Sequence, residues 1–161
     1  MKRGLIAFAL AVFLSGCRGA GPIVAAPPSQ RQPMVPPVVI PADANFLLMV
    51  SEAIASPEDD VLSYTKVFID GQPAGQTPIA AKSKEKAWGD VLAAGNHLFR
   101  FEGWVLPLPG EWTPLAAQWQ PPERFIRIEP GQHTGVALKF FDAGRRHSLR
   151  ITREPSAAPV R

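Results

Sequence analysis

The chain has 161 residues, 18 of them proline, a single cysteine and a formal net charge of +3. One cysteine excludes an intramolecular disulfide and a zinc site built on cysteines, and because it is Cys17, near the N-terminus, none is left to act as a nucleophile in the folded part. No cofactor and no nucleic-acid partner are expected. The charge is unevenly placed: from Asp43 to Glu123 acids outnumber bases 11 to 5, and from Arg124 to Arg161 bases outnumber acids 8 to 3. The basic C-terminal part reads first as solvated strand faces. Its second reading is a surface for anionic headgroups or acidic envelope polymers.

Met1-Lys2-Arg3 is a basic start, Gly4 to Leu14 is apolar and uncharged, and small residues follow. These are the three zones of a secretory signal. The run falls short of the roughly 20 apolar residues that a membrane-spanning helix needs. Ala11-Val12-Phe13-Leu14-Ser15-Gly16-Cys17 resembles the lipobox of bacterial lipoproteins. The resemblance implies cleavage after residue 16, a diacylglycerol on the Cys17 sulfur and an acyl chain, such as palmitate, on its new amino group. Several chains on one residue anchor far more firmly than one, because each buried methylene contributes about 0.8 kcal/mol. The resemblance further implies, from Arg18 where inner-membrane lipoproteins of the enteric type carry Asp, the outer membrane rather than the inner one, on the periplasmic or surface face.

Residues 17–42 read as a tether. Pro22, Pro27, Pro28, Pro33, Pro36, Pro37 and Pro41 stand among small and polar residues. Such a stretch buries too little apolar surface to offset its ordering entropy, and proline stiffens it toward polyproline II. Val38-Val39-Ile40 is more apolar and is expected to begin docking on the folded part. Residues 43–153 form the predicted domain, an all-β antiparallel sandwich of about seven strands. Phe46 to Val50 is a short apolar run and reads as a buried strand. Ser56-Pro57-Glu58-Asp59 reads as a helix start of a turn or two, with Ser56 as N-cap. The neighbouring acids Asp59 and Asp60 read as capping groups rather than a cation site.

Tyr64 to Asp70 alternates, with Val67 and Ile69 on one face and Lys66 and Phe68 on the other, and ends in a tight-turn pair, Asp70-Gly71. The text Val67-Phe68-Ile69-Asp70-Gly71-x-x-x-Gly75-x-Thr77-Pro78 resembles the PEGA domain pattern. Val91 to Phe101 resembles that family's continuation into a strand, a glycine turn and a closing strand. Residues 82–90 depart from it, being longer and more charged, and Ala94 stands where the family has proline. The resemblance covers about a quarter of the chain. It implies a small β-sandwich module of a bacterial surface protein with no catalytic residues. On the residues alone, Gly71 and Gly75 are expected to supply positive φ, and Pro78 suits the start of an edge strand.

Trp104, Trp112 and Trp119 lie in a proline-rich stretch from 104 to 122 that reads as one long loop. Its bland reading is a lid on one end of the core. Its functional reading is a binding ridge, because indole faces stack on sugars and peptides and tryptophan is enriched in hot spots. Strands then follow at Phe125–Ile128, Val136–Phe140 and Ser148–Thr152, with turns at Pro130-Gly131 and Asp142-Ala143-Gly144. Residues 154–161 read as a disordered tail. His97, His133 and His147 show no metal-ligand spacing, and neither a nucleophile elbow nor a phosphate loop occurs. The sequence therefore predicts a noncatalytic envelope lipoprotein, not an enzyme, that binds or scaffolds a glycan or protein. The alternative is an accessory or assembly subunit of a membrane-spanning envelope complex, such as a secretion or surface machine.

Overall fold

The computed structural model describes residues 39–156. The signal segment, Cys17, the tether up to residue 38 and residues 157–161 lie outside them. Ten strands occur among the described residues: β1 (Phe46–Glu52), β2 (Leu62–Ile69), β3 (Gln72–Gln76), β4 (Ala80–Ala81), β5 (Lys86–Asp90), β6 (Gly95–Leu106), β7 (Thr113–Pro114), β8 (Arg124–Ile128), β9 (Gln132–Phe141) and β10 (Arg146–Pro155). They form two sheets. The first has the order β10-β9-β1-β5; the second runs β3-β2-β6-β7, with β4 pairing β2 and β8 pairing β6. The fold is all-β, as the alternation of the sequence predicts.

The core lies between the sheets. Phe46, Leu48 and Val50 from β1 and Val136, Leu138 and Phe140 from β9 meet Val67, Phe99, Phe101, Ile126 and Ile128 from the second sheet. Phe46 stacks on Phe99 with ring centroids 4.6 Å apart. Burying side chains of this size contributes about 1.5–3 kcal/mol each, so the inward rows of both sheets together hold a fold that has no intramolecular disulfide.

Several expectations change in detail. Strand pairing is not purely antiparallel: β1 runs parallel to β9, Phe46 opposite Thr134 through Glu52 opposite Phe140. A parallel neighbour needs a long crossover, and here the whole second sheet lies between the two strands in sequence. The strand count exceeds seven because β4 and β7 are two-residue pairings and because residues 82–90, set aside as charged, contain β5. The domain also runs past Arg153. Glu154 and Pro155 pair with His133 and Gln132, so β10 continues two residues into the expected tail. Ser56 stands at the N-cap position of a single 3-10 turn, Pro57–Asp59, but its side chain makes no capping bond. Asp60 caps nothing: its carboxylate accepts from the backbone N–H and hydroxyl of Ser83 at 2.8 and 2.7 Å. Of Val38-Val39-Ile40, Val38 lies outside the described residues and Val39 is exposed, while Ile40, itself partly exposed, makes contact, its Cγ2 lying 2.9 Å from where a Cβ on Gly89 would stand.

The Asp70-Gly71 turn forms as read. Asp70 has φ 52° and Gly71 φ 80°, the paired positive values of a two-residue hairpin turn. Gly75 serves a different purpose from the one expected. Its φ is not positive; instead a Cβ there would stand 2.4 Å from Nε1 of the buried Trp88. The motif's threonine replaces a rung of the ladder. Thr77, fully buried, donates its N–H to the Thr65 carbonyl and accepts the Thr65 N–H on Oγ1, both at 2.9 Å. Pro78 lies in the link to β4 rather than within a strand.

Candidate functional site: an aromatic and charged face

β2 and β6 pair over eight residues, and their alternation sends two rows away from the core. Tyr64, Lys66 and Phe68 come from β2; Trp104, Glu102 and Arg100 stand directly opposite them on β6. The rows interlock. Trp104 stacks beside Tyr64, with ring centroids 6.0 Å apart and planes 14° from parallel. Trp112 meets Tyr64 edge-on at 4.9 Å. The Lys66 ammonium lies 4.0 Å from the Trp104 ring and the Arg100 guanidinium 3.6 Å from the Phe68 ring, both in cation–π range.

Glu102 organises the charges of this face. One oxygen accepts the Trp104 indole N–H at 2.7 Å and the other accepts from Arg100 Nη1 at 2.7 Å. Arg100 Nε also reaches Glu123 at 3.7 Å. Both Glu102 oxygens are thus engaged, so the residue holds ring and guanidinium in place rather than offering a free base. Burial, and secondarily the charge of Glu102, pushes the Tyr64 hydroxyl above its ordinary pKa, so it stays a neutral donor. Trp104 and Trp112 are neither fully buried nor fully exposed. Tyr64 and Trp104 also line a cavity of about 20 Å³ with Glu52, Ser63, Lys86 and Phe140, space for about one water.

The stretch from 104 to 122 is not one loop and divides its labour. Trp104 belongs to β6. Leu115 packs on the core, and Gln120 closes the gap along the β6 edge by accepting the Gly103 N–H at 2.8 Å and donating to the carbonyls of Gly103 and Leu115. These residues act as the lid. Trp104 and Trp112 share Tyr64, whereas Trp119, on the short 3-10 turn Ala117–Trp119, has the Arg145 guanidinium 5.7 Å from its ring. Of the three tryptophans, the structure therefore brings two together.

Sequence reading missed Tyr64, Lys66, Arg100 and Glu102 as parts of this face. Their alternation was visible, but which strand lay opposite was not. It also missed a buried ion cluster. Lys82 Nζ lies 3.2 Å from Glu52 Oε1 with both side chains almost wholly buried, a charge contact whose alignment falls short of a good hydrogen bond. Lys86 donates to the carbonyls of Ala81 and Lys84 at 3.1 and 3.3 Å. Burial raises the pKa of Glu52 against the opposing pull of Lys82, and lowers that of Lys86 against the pull of Glu52. The pattern Lys86-x-Trp88-x-Asp90 was the signal that this charged segment was a strand.

Among the described residues no group of three or more His, Cys, Asp or Glu side chains converges as metal ligands, and no helix is long and apolar enough to cross a membrane. No protein-family model, curated protein or solved structure matches the chain.

Proposed function

We propose that the chain is a noncatalytic envelope lipoprotein, anchored through Cys17 to the outer membrane, whose sandwich binds or scaffolds an envelope glycan or protein. The observation that carries the binding half is the pair of partly buried indoles, Trp104 and Trp112, set on one tyrosine beside Lys66. A platform of this kind offers flat apolar area at low entropic cost, with a polar rim to fix orientation. The lipobox resemblance at Leu14-Ser15-Gly16-Cys17 supports the anchoring half.

Retention on purified cell-wall or surface glycan, and co-purification with envelope proteins, test the reading. Native protein is expected to be retained. Trp112→Ala is expected to bind about tenfold or more weakly, the loss typical of a truncated aromatic anchor, while keeping its cooperative unfolding transition. Undiminished retention of that variant removes the platform from binding, and loss of its unfolding transition assigns Trp112 to packing. Recovery in a stoichiometric membrane complex instead favours the accessory-subunit reading.

A further inference from the structure

The outer strands of the two sheets are not alike. β3 holds Pro73 and pairs with β2 through a register shift; β5 and β8 have five residues each; β7 has two. Short length, proline and irregular pairing are the usual ways of blunting an edge against strand addition. β10 uses none of these before its last residue and carries instead the charges of Arg146, Arg150 and Arg153, a further device of the same kind. It runs for ten residues, pairs with β9 without a break in register, and lies at the end of its sheet. Among the described residues no strand pairs with its other side.

The hydrogen-bond phase of this edge follows from its neighbours. The Ser156 N–H donates to the Gly131 carbonyl at 2.8 Å, and the ladder sums place residues 146, 148, 150, 152 and 154 in the same phase, bonded to β9. The opposite side of β9 agrees: Thr134 N–H and Phe140 C=O bond to Asn45 and Ala53 on the β1 side. His147, Leu149, Ile151 and Arg153 therefore direct their backbone N–H and C=O groups outward. The side chains around them are specific. Leu149 and Ile151 are half-buried at the margin of the core, which leaves apolar area for a further strand to cover. On the other face Arg150 is exposed, close to Lys139 on β9. Arg146 is paired with Asp142, whereas Arg150 and Arg153 join no ion pair among the described residues.

We propose that the free edge of β10 accepts an extended polypeptide segment by strand addition, its residues alternating apolar against Leu149 and Ile151 with acidic against Arg150. The backbone supplies affinity in this mode and the alternating side chains supply specificity. The inference stands apart from the aromatic face of β2 and β6, since it uses the other sheet and different chemistry.

The test uses the full chain and a ten-residue synthetic peptide alternating valine with glutamate. Amide hydrogen exchange is read at Leu149 and Ile151. Saturating peptide is expected to slow exchange at both by about tenfold or more, as new inter-strand bonds would. The same peptide with lysine for glutamate, or N-methylated at alternate residues, is expected to give no protection. Arg150→Glu should reverse the preference toward the lysine peptide, and Trp112→Ala should leave protection unchanged. Equal protection by the lysine peptide overturns the stated partner chemistry. Absence of protection by any peptide overturns the site. Slow exchange in free protein overturns it too: if independent of concentration, the chain's own residues fill the edge; if concentration-dependent, a second copy does.

Discussion

Thr77 shows how much one side chain can settle. Its hydroxyl is the acceptor for a buried backbone N–H on β2, at a point where the strand ladder would otherwise end. Thr77→Val keeps the shape and deletes the acceptor. It is expected to cost about 1–3 kcal/mol, the penalty for an orphaned buried donor, while Thr77→Ser costs less; chemical unfolding of the two variants checks this, and equal stabilities would contradict the assignment. The threonine and the two glycines of this segment were legible as a motif. The reason for Gly75 was not: Trp88 arrives from another sheet, and no local pattern in Gln72–Gln76 announces it.

The hairpin of β2 and β3 carries a clip that predicts its own pH dependence. His97 Nδ1 lies 2.7 Å from Asp70 Oδ2, and its Nε2 lies 2.9 Å from the Ala93 carbonyl. Both partners accept, so both ring nitrogens must donate, which requires the imidazolium. The Asp70 hydrogen bond, followed by that of Ala93, raises the His97 pKa above its ordinary 6.5; the His97 bond, followed by the Leu98 N–H, lowers the Asp70 pKa below 3.8. The sign follows by linkage. The Asp70 contribution is present above 3.8 and lost as pH falls through its lower folded value. The His97 contribution is present below 6.5 and lost as pH rises through its higher folded value. The destabilisation by Asp70→Asn should therefore be largest near about pH 5 and shrink at alkaline pH. NMR titration of His97 checks it: a folded pKa at or below 6.5, or one unmoved by Asp70→Asn, would count against the clip. The Asp70-Gly71 turn itself was legible, because paired positive φ restricts the residues that can occupy it. Its clip to His97 needed the β2–β6 register.

For the whole molecule, the outstanding prediction is anchoring. Cys17→Ala should move the protein from the membrane fraction to the soluble one, because in the proposed anchoring the sulfur and the amino group of that one residue would carry the acyl chains. Continued membrane association of that variant would remove the lipobox reading. Much of the rest was written locally. Composition and period-2 alternation determined an all-β fold, the inward rows of β2, β8, β9 and β10, and the turns at Gly71, Gly131 and Gly144, because these depend on residues within a few positions of one another. Tertiary structure decided the parallel pairing of β1 with β9, the burial of Lys82 and Lys86, the union of Trp104 and Trp112 on Tyr64, and the place of β10 at the end of its sheet. Each of these joins residues distant in sequence, and alternation states which way a side chain points without stating which strand lies beside it.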